Sequence, residues 1–145
     1  MSDARRAVDR LKDAYNSHDL EALAQCFTER PVLVSPDGIA EDKEEIASYY
    51  GQFMQAFPDT IVTPQSVTGS EDTLVAEFTI TGTHKGPFLV PGGGILEATG
   101  RPIAIGACSV SIVEERLILS HRIYYDQLEL VTQLGGLACF SDHPL

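Results

Sequence analysis

The chain has 145 residues and, with 21 acidic against 10 basic side chains, a formal net charge of −11. That length suits one domain whose core is large enough to hold a ligand-sized pocket, and the charge argues against a phosphate-tracking nucleic-acid surface or attachment to anionic lipid. Cys26, Cys108 and Cys139 are odd in number and lack metal-ligand spacing, so free thiols are expected, with neither a disulfide framework nor a metal site.

Met1-Ser-Asp-Ala-Arg-Arg6 has no apolar stretch behind it and no run approaches a membrane span, so a cytoplasmic protein is expected. Ala4, Val8, Leu11 and Tyr15 follow the helical period, and Asp3 lies where the helix dipole favours a carboxylate; this predicts a first amphipathic helix. It ends at Asn16-Ser-His-Asp19, where Asp19 can cap a short second helix carrying Leu20, Leu23, Ala24 and Phe27. Prolines bracket a short strand, Arg30–Pro36, and Pro36-Asp-Gly38 reads as a turn. In a third helix Ile46, Tyr49, Tyr50, Phe53 and Phe57 step by three and four, and Pro58 stops it.

From there the pattern is one of strands. Pro64 assigns Ile61–Thr68 to a sheet edge or a bulge. Leu74, Ala76, Phe78 and Ile80 alternate with Val75, Glu77, Thr79 and Thr81, as in a half-buried antiparallel strand. Thr83–Gly100 reads as a loop containing Gly92-Gly-Gly94. Ile103–Val113 and Leu117–Tyr125 form a hairpin joined at Glu114-Glu-Arg116, and a short helix begins at Gln127. Helices first and strands afterwards predict an α+β domain, with the helices on one face of a curved antiparallel sheet. The glycine run does not follow a strand and open a helix, so no nucleotide-binding loop is present; nucleophile-elbow and HExxH patterns are also missing.

In order and spacing, five segments resemble the SnoaL-like polyketide cyclases of the NTF2-like superfamily over nearly the whole chain. They are Asn16-Ser-His-Asp19, Ala56-Phe-Pro-Asp59, Gly82-Thr-His-Lys-Gly-Pro87, Ala98-Thr-Gly-Arg101 and Tyr125-Asp-Gln-Leu-Glu-Leu-Val-Thr-Gln-Leu-Gly135. The resemblance implies one domain over residues 1–145, a cone of strongly bent sheet closed by three N-terminal helices and a short C-terminal helix. It also implies a deep apolar cavity and a homodimer formed through the outer sheet face. The implied activity is cofactor-independent aldol-type ring closure on a hydrophobic, polyketide-like carbonyl substrate, with Asp126 as the acid/base residue. Gly92-Gly-Gly94 and Arg122 look closer to a branch associated with polyketide hydroxylation. The fold has also been recruited for epoxide opening and includes ketosteroid-isomerase-like proton shuttles. A ligand-binding or dimerisation module without catalysis is the remaining reading. On the strand before the aspartate strand, the positions aligned with the family's polar cavity residues are Cys108, Val110 and Ile112, which leaves a partner donor missing.

Asp126 carries two readings. With Glu129 three residues on, it forms a capping box for the last helix, whereas a base needs an apolar pocket that raises its pKa. Leu117, Leu119, His121, Ile123 and Tyr125 share one strand face; Ile118, Ser120, Arg122, Tyr124 and Asp126 share the other. Periodicity turns the second face to solvent, while the resemblance turns it into the cavity. The expectation adopted is the latter, with Leu119, His121 and Tyr125 at an outer interface. Arg122, like Tyr124 or His84, is an expected catalytic donor that stabilises the enolate; buried, it needs a carboxylate or anionic ligand, and on the surface it would pair with Glu77 or Glu97. His84, in phase with Phe78 and Ile80, is expected near the cavity mouth as a donor to a developing enolate, or else in a turn. Tyr15, Tyr50, Phe53, Phe57, Phe88 and Tyr124 are the expected substrate-binding wall. Asp59 and His18 read as turn and loop residues.

Overall fold

A computed structural model describes residues 2–90 and 93–136; Cys139 and Gly92 lie outside the described residues. Helix α1 (Asp3–Asn16) is capped by Ser2, whose hydroxyl accepts from the Arg5 amide, and buries Ala4, Ala7, Leu11, Ala14 and Tyr15. Helix α2 (Leu20–Gln25) starts on Asp19, which accepts from the Ala22 amide as its sequence predicts. Phe27, expected on that helix, is instead the fully buried first residue of strand β1 (Phe27–Ser35). A short strand β2 (Gly38–Ala40) follows the Pro36–Asp37 turn, and Asp42 caps helix α3 (Lys43–Ala56) through the Glu45 amide.

The remaining strands are β3 (Ile61–Gly69), β4 (Thr73–Thr83), β5 (Phe88–Leu89), β6 (Ile95–Leu96), β7 (Pro102–Glu114) and β8 (Leu117–Tyr125), followed by helix α4 (Gln127–Gln133). Six of these strands form one sheet in the order β2-β1-β8-β7-β4-β3. Pro64 sits at a register shift on the edge strand β3, where its missing N–H costs no ladder bond. The β1–β8 pair is parallel, a departure from the expected all-antiparallel sheet. It is possible because α3 and six strands intervene and supply the long crossover that parallel pairing needs. The tight turn between β7 and β8 holds Glu115 and Arg116 at φ of 49° and 72°, the left-handed pair that matches hairpin twist. β5 and β6 pair with each other inside the segment read as a loop; two-residue strands leave no periodicity to detect.

The family-like segments near the helices are structural pins. The Asn16 side chain donates to the Val62 carbonyl and accepts from the Val62 amide, as a neighbouring strand would, and so fastens the end of α1 to β3. His18, at φ 55°, places Nε2 2.6 Å from the Thr60 carbonyl. Asp59 accepts from both the amide and the hydroxyl of Thr83, and these bonds, the hydroxyl first, hold its carboxyl below the usual range. The main core lies between the helices and the concave sheet face, and a second core gathers Ala56, Phe57, Ile103, Ile105, Leu130 and Leu134 near α4. Among the described residues, no helix is long and apolar enough to cross a membrane.

Candidate functional site

Between α1, α3 and the concave face of the sheet lies a cavity of about 120 Å³. Tyr15, Tyr49, Tyr50 and Phe53 wall it from the helices, and Ala76, Phe78 and Ile80 from β4, the face that the alternation predicts. Its solvent side carries half-buried Asp9 and Lys12 of α1 and exposed Pro64 of β3. Of the expected substrate wall, Tyr15, Tyr50 and Phe53 line the cavity. Phe57 and Phe88 instead pack behind it in the second core, where Phe57 stands 4.7 Å from the Phe53 ring.

Strand β8 turns the opposite way from the expectation adopted for it. His121, Ile123 and Tyr125 face the cavity, while Arg122, Tyr124 and Asp126 are exposed, Tyr124 at 52%. This is the orientation that the strand's own alternation gives and the resemblance reverses. A bulge opposite Ile112 and Val113, where Val113 pairs with Ile118 but Ile112 pairs with Ser120, makes Leu119 an extra residue and shifts the phase of Ile118 rather than of the residues after it. Ile118 is therefore buried in phase with His121 rather than with Ser120 and Arg122. Strand β7 needs a matching correction. Cys108, Val110 and Ile112 point outward, and Ser109 and Ser111, at 3% and 0% exposure, point inward, so the inner wall does carry hydroxyl groups.

The capping reading of Asp126 describes its geometry: Oδ1 accepts from the Glu129 amide at 3.1 Å at the start of α4. His84 is fully buried but does not line the cavity. Its Nδ1 accepts from the Thr99 amide at 3.1 Å and lies 2.9 Å from the Thr99 hydroxyl, so the ring proton belongs on Nε2, which has no partner. The ring lies against Phe57 at 5.4 Å, and the His84 backbone bonds to Arg101 and Gly100. The neighbouring Gly86 donates to the Ala56 carbonyl, and a Cβ there would lie 2.1 Å from the Gln55 carbonyl oxygen. These contacts explain the Gly-Thr-His-Lys-Gly-Pro segment as a latch that fastens the 84–101 segment to the end of α3.

Several polar groups interrupt the apolar wall. His121, 4% exposed, has Nδ1 2.7 Å from the buried Ser111 hydroxyl, and burial pushes its pKa down to about 4. The imidazole is therefore neutral at physiological pH, and Nε2 is left for a ligand. Tyr15 pairs with the Thr60 hydroxyl at 2.8 Å, and burial, partly offset by that bond, raises its phenol to about 12. Tyr125 and Tyr49 both line the cavity and both donate to Asp37 Oδ2, at 2.6 Å and 3.3 Å, while Gln127 donates to Oδ1 at 2.9 Å. Burial first, and then the Asp37 carboxylate, raises both phenols further. Among the described residues, no group of three His, Cys, Asp or Glu side chains is placed to hold a metal ion.

Sequence reasoning missed His121, Tyr125 and Ser109 as cavity residues and Ser111 as the partner of His121, and saw Asp37 only as a turn residue. The uninterrupted odd-numbered phase of β7 is a signal that could have found the serines. The partners of Asp37 on β8 and α4 are 88 and 90 residues away, a proximity that no local pattern reveals.

A family model described as SnoaL-like polyketide cyclase matches residues 5–134. No curated protein matches the chain in sequence. Among solved structures, AclR of Streptomyces galilaeus, named as a candidate hydroxylase, is 21% identical over 93% of this chain and 97% of its own, with a TM-score of 0.79. A candidate SnoaL-like polyketide cyclase from Jannaschia sp. CCS1 is 19% identical, covers 94% of each chain and has a TM-score of 0.81. IdmH of Streptomyces antibioticus, named as a candidate polyketide cyclase, is 25% identical over 91% of this chain and 98% of its own, with a TM-score of 0.77.

Proposed function

The chain belongs to the SnoaL-like polyketide cyclase family, and from that premise we propose that it closes a ring on a compact, uncharged, carbonyl-bearing substrate by cofactor-independent acid/base catalysis. The supporting observation is the neutral imidazole of His121, paired to Ser111 on the wall of an otherwise apolar cavity. An apolar side chain would fill that position at less cost, since burying a polar group is favourable only when its hydrogen bonds are met.

In the proposed reaction the Ser111 hydroxyl donates to Nδ1, so Nε2 carries the ring proton and donates it to a substrate carbonyl oxygen. A neutral donor stabilises the charge that develops there without placing a formal charge in an apolar site. The Ser109 hydroxyl, two residues along the same inner face of β7, is a second donor. Enclosure supplies orientation, a large share of the barrier when both reacting carbons belong to one molecule. Aldol addition is redox-neutral and requires only proton transfers, so the side chains present can carry it. The cavity volume sets the substrate class: about 120 Å³ is close to the ~150 Å³ that encloses a single benzene ring. A polycyclic compound would place only one ring inside.

The test is deuterium exchange at the α-carbon of a small β-keto ester, ethyl acetoacetate, followed by NMR in deuterated buffer. The protein should accelerate exchange above buffer, and His121→Leu should slow it by about 10²-fold, the usual effect of losing one such donor. No acceleration by the wild-type protein would overturn the enzymatic reading. It would favour a ligand-binding module, to which the engagement of Asp126 as a helix cap is equally suited.

A further inference from the structure

We propose that Tyr125 and Asp37 form the proton relay of this site, with the phenol reaching into the cavity and the carboxylate outside it. The proposal rests on the cyclase reading above and supplies the proton acceptor that His121, as a carbonyl donor, does not. Tyr125 lines the cavity, and its hydroxyl donates to Asp37 Oδ2 at 2.6 Å, the short range of charge-assisted bonds. Asp37 lies on the exposed turn between β1 and β2, and Tyr49 of α3 and Gln127 of α4 hold it in place. Donors from three separate elements thus converge on one carboxylate at the end of the cavity.

The arrangement meets a physical difficulty of acid/base work in an apolar cavity. A carboxylate placed inside would lose much of its hydration, whereas Asp37 stays in water and acts inward through a neutral phenol. With its own proton committed to Asp37, the Tyr125 oxygen has its lone pairs left to accept one. His121 and Tyr125 are anchored about 13 Å apart along a straight strand, and the curve of the sheet and the length of the tyrosine side chain shorten that separation. The two groups can therefore serve different carbonyl units of one substrate, the electrophile at His121 and the carbon acid at Tyr125. Neither phenol nor carboxylate is a strong base, so the carbon acid must be activated: a 1,3-dicarbonyl compound.

The step balances without any co-reactant. The C–H bond between the two carbonyls breaks, its proton passes to Tyr125 Oη, and the phenol proton passes to Asp37 Oδ2, leaving the electron pair on the enolate. The enolate carbon forms the ring bond to the carbonyl carbon held at His121. The resulting alkoxide, held at His121, takes a proton from water, and Asp37, on its exposed turn, gives its own to water.

The experiment uses the full chain and the exchange of ethyl acetoacetate in deuterated buffer, with thermal unfolding recorded for every variant. Tyr125→Phe and Asp37→Asn should each slow exchange by about 10²-fold or more, and the double variant should be no slower than either single one, because the two act as a unit. Asp126→Asn should stay within about threefold of wild type. Tyr125→Phe keeps the ring and removes only the relay atom, so it decides the matter alone if Asp37→Asn does not fold. Wild-type rates in Tyr125→Phe, or multiplicative losses in the double variant, would overturn the relay. If His121→Leu still abolishes exchange in that case, the cyclase reading stands and only the relay falls. If the wild-type protein itself gives no exchange above buffer, both fall.

Discussion

Replacing Asp126 separates its two roles, because asparagine caps a helix about as well as aspartate but cannot act as a base. In the structure Asp126 Oδ1 accepts from the Glu129 amide at 3.1 Å, and the helix it starts has seven residues and is anchored by Leu130, with Leu134 just beyond its end. Asp126→Ala removes that acceptor and should cost about 1 kcal/mol. For a chain of this size that lowers the unfolding temperature by about 2–4 °C. Asp126→Asn should leave it within about 1 °C. Both variants should retain the α-carbon exchange rate, since the carboxylate is exposed and outside the cavity wall. Circular dichroism melts and the NMR exchange assay on the same samples check both numbers. An Asp126→Asn protein with an unchanged melt and a rate reduced 100-fold would refute the reasoning, by showing that this carboxylate reaches the substrate in the working enzyme.

His121 should make stability fall in acid. Between its unfolded value of 6.5 and its folded value of about 4, only the unfolded state binds the proton, so stability falls as pH falls through that window. The loss is about 1.4 kcal/mol per unit and about 3 kcal/mol in all. Urea midpoints at pH 7 and pH 4 measure it, and an undiminished loss in the His121→Leu/Ser111→Ala double variant would assign it to other groups. Gly86→Ala should destabilise by about 1–3 kcal/mol, because its Cβ would meet the Gln55 carbonyl at 2.1 Å; an unchanged melt would show that the latch at the end of α3 yields freely. The outward, partly exposed row of Val75, Cys108, Val110 and Ile112 suits a second copy of the chain. If the protein sediments as a dimer, Val110→Glu should shift it to the monomer mass, and a Val110→Glu dimer would place the interface elsewhere.

The fold was legible where local chemistry acts alone. Asp19 caps α2, Pro58 stops α3 and Pro64 sits at an edge, because each reports a backbone requirement met within a few residues. The cavity was half legible: the alternation of Ala76, Phe78 and Ile80 names its β4 wall, since no irregularity interrupts pairing with β7. The inward face of β8 from His121 onward was legible in its alternation too, and it is the resemblance that turned Arg122 and Tyr124 inward. Only the burial of Ile118 against that alternation depends on the extra residue, Leu119. Its position is fixed by pairing with β7, and neither strand's own sequence states where the register slips.

The same bulge links fold to proposed chemistry. If β8 kept strict alternation from the buried Ile118, its inward residues would be Ser120, Arg122 and Tyr124, and an unpartnered guanidinium would enter an apolar cavity at a cost of several kcal/mol. With the bulge absorbing Leu119, pairing with β7 keeps Arg122 and Tyr124 on the exposed side and His121 opposite Ser111, so the wall gains a neutral imidazole with its partner already in register. It also aims Tyr125 inward at the level where the β1–β2 turn presents Asp37. A deletion of Leu119 therefore tests whether the bulge itself is needed. Ile118 would still pair with Val113 and Ser120 with Ile112, so His121 and Tyr125 stay inward, and both the exchange activity and the acid-sensitive stability contributed by His121 should be kept. A folded deletion variant that lost both would show that the bulge, and not the pairing with β7, sets the phase of β8.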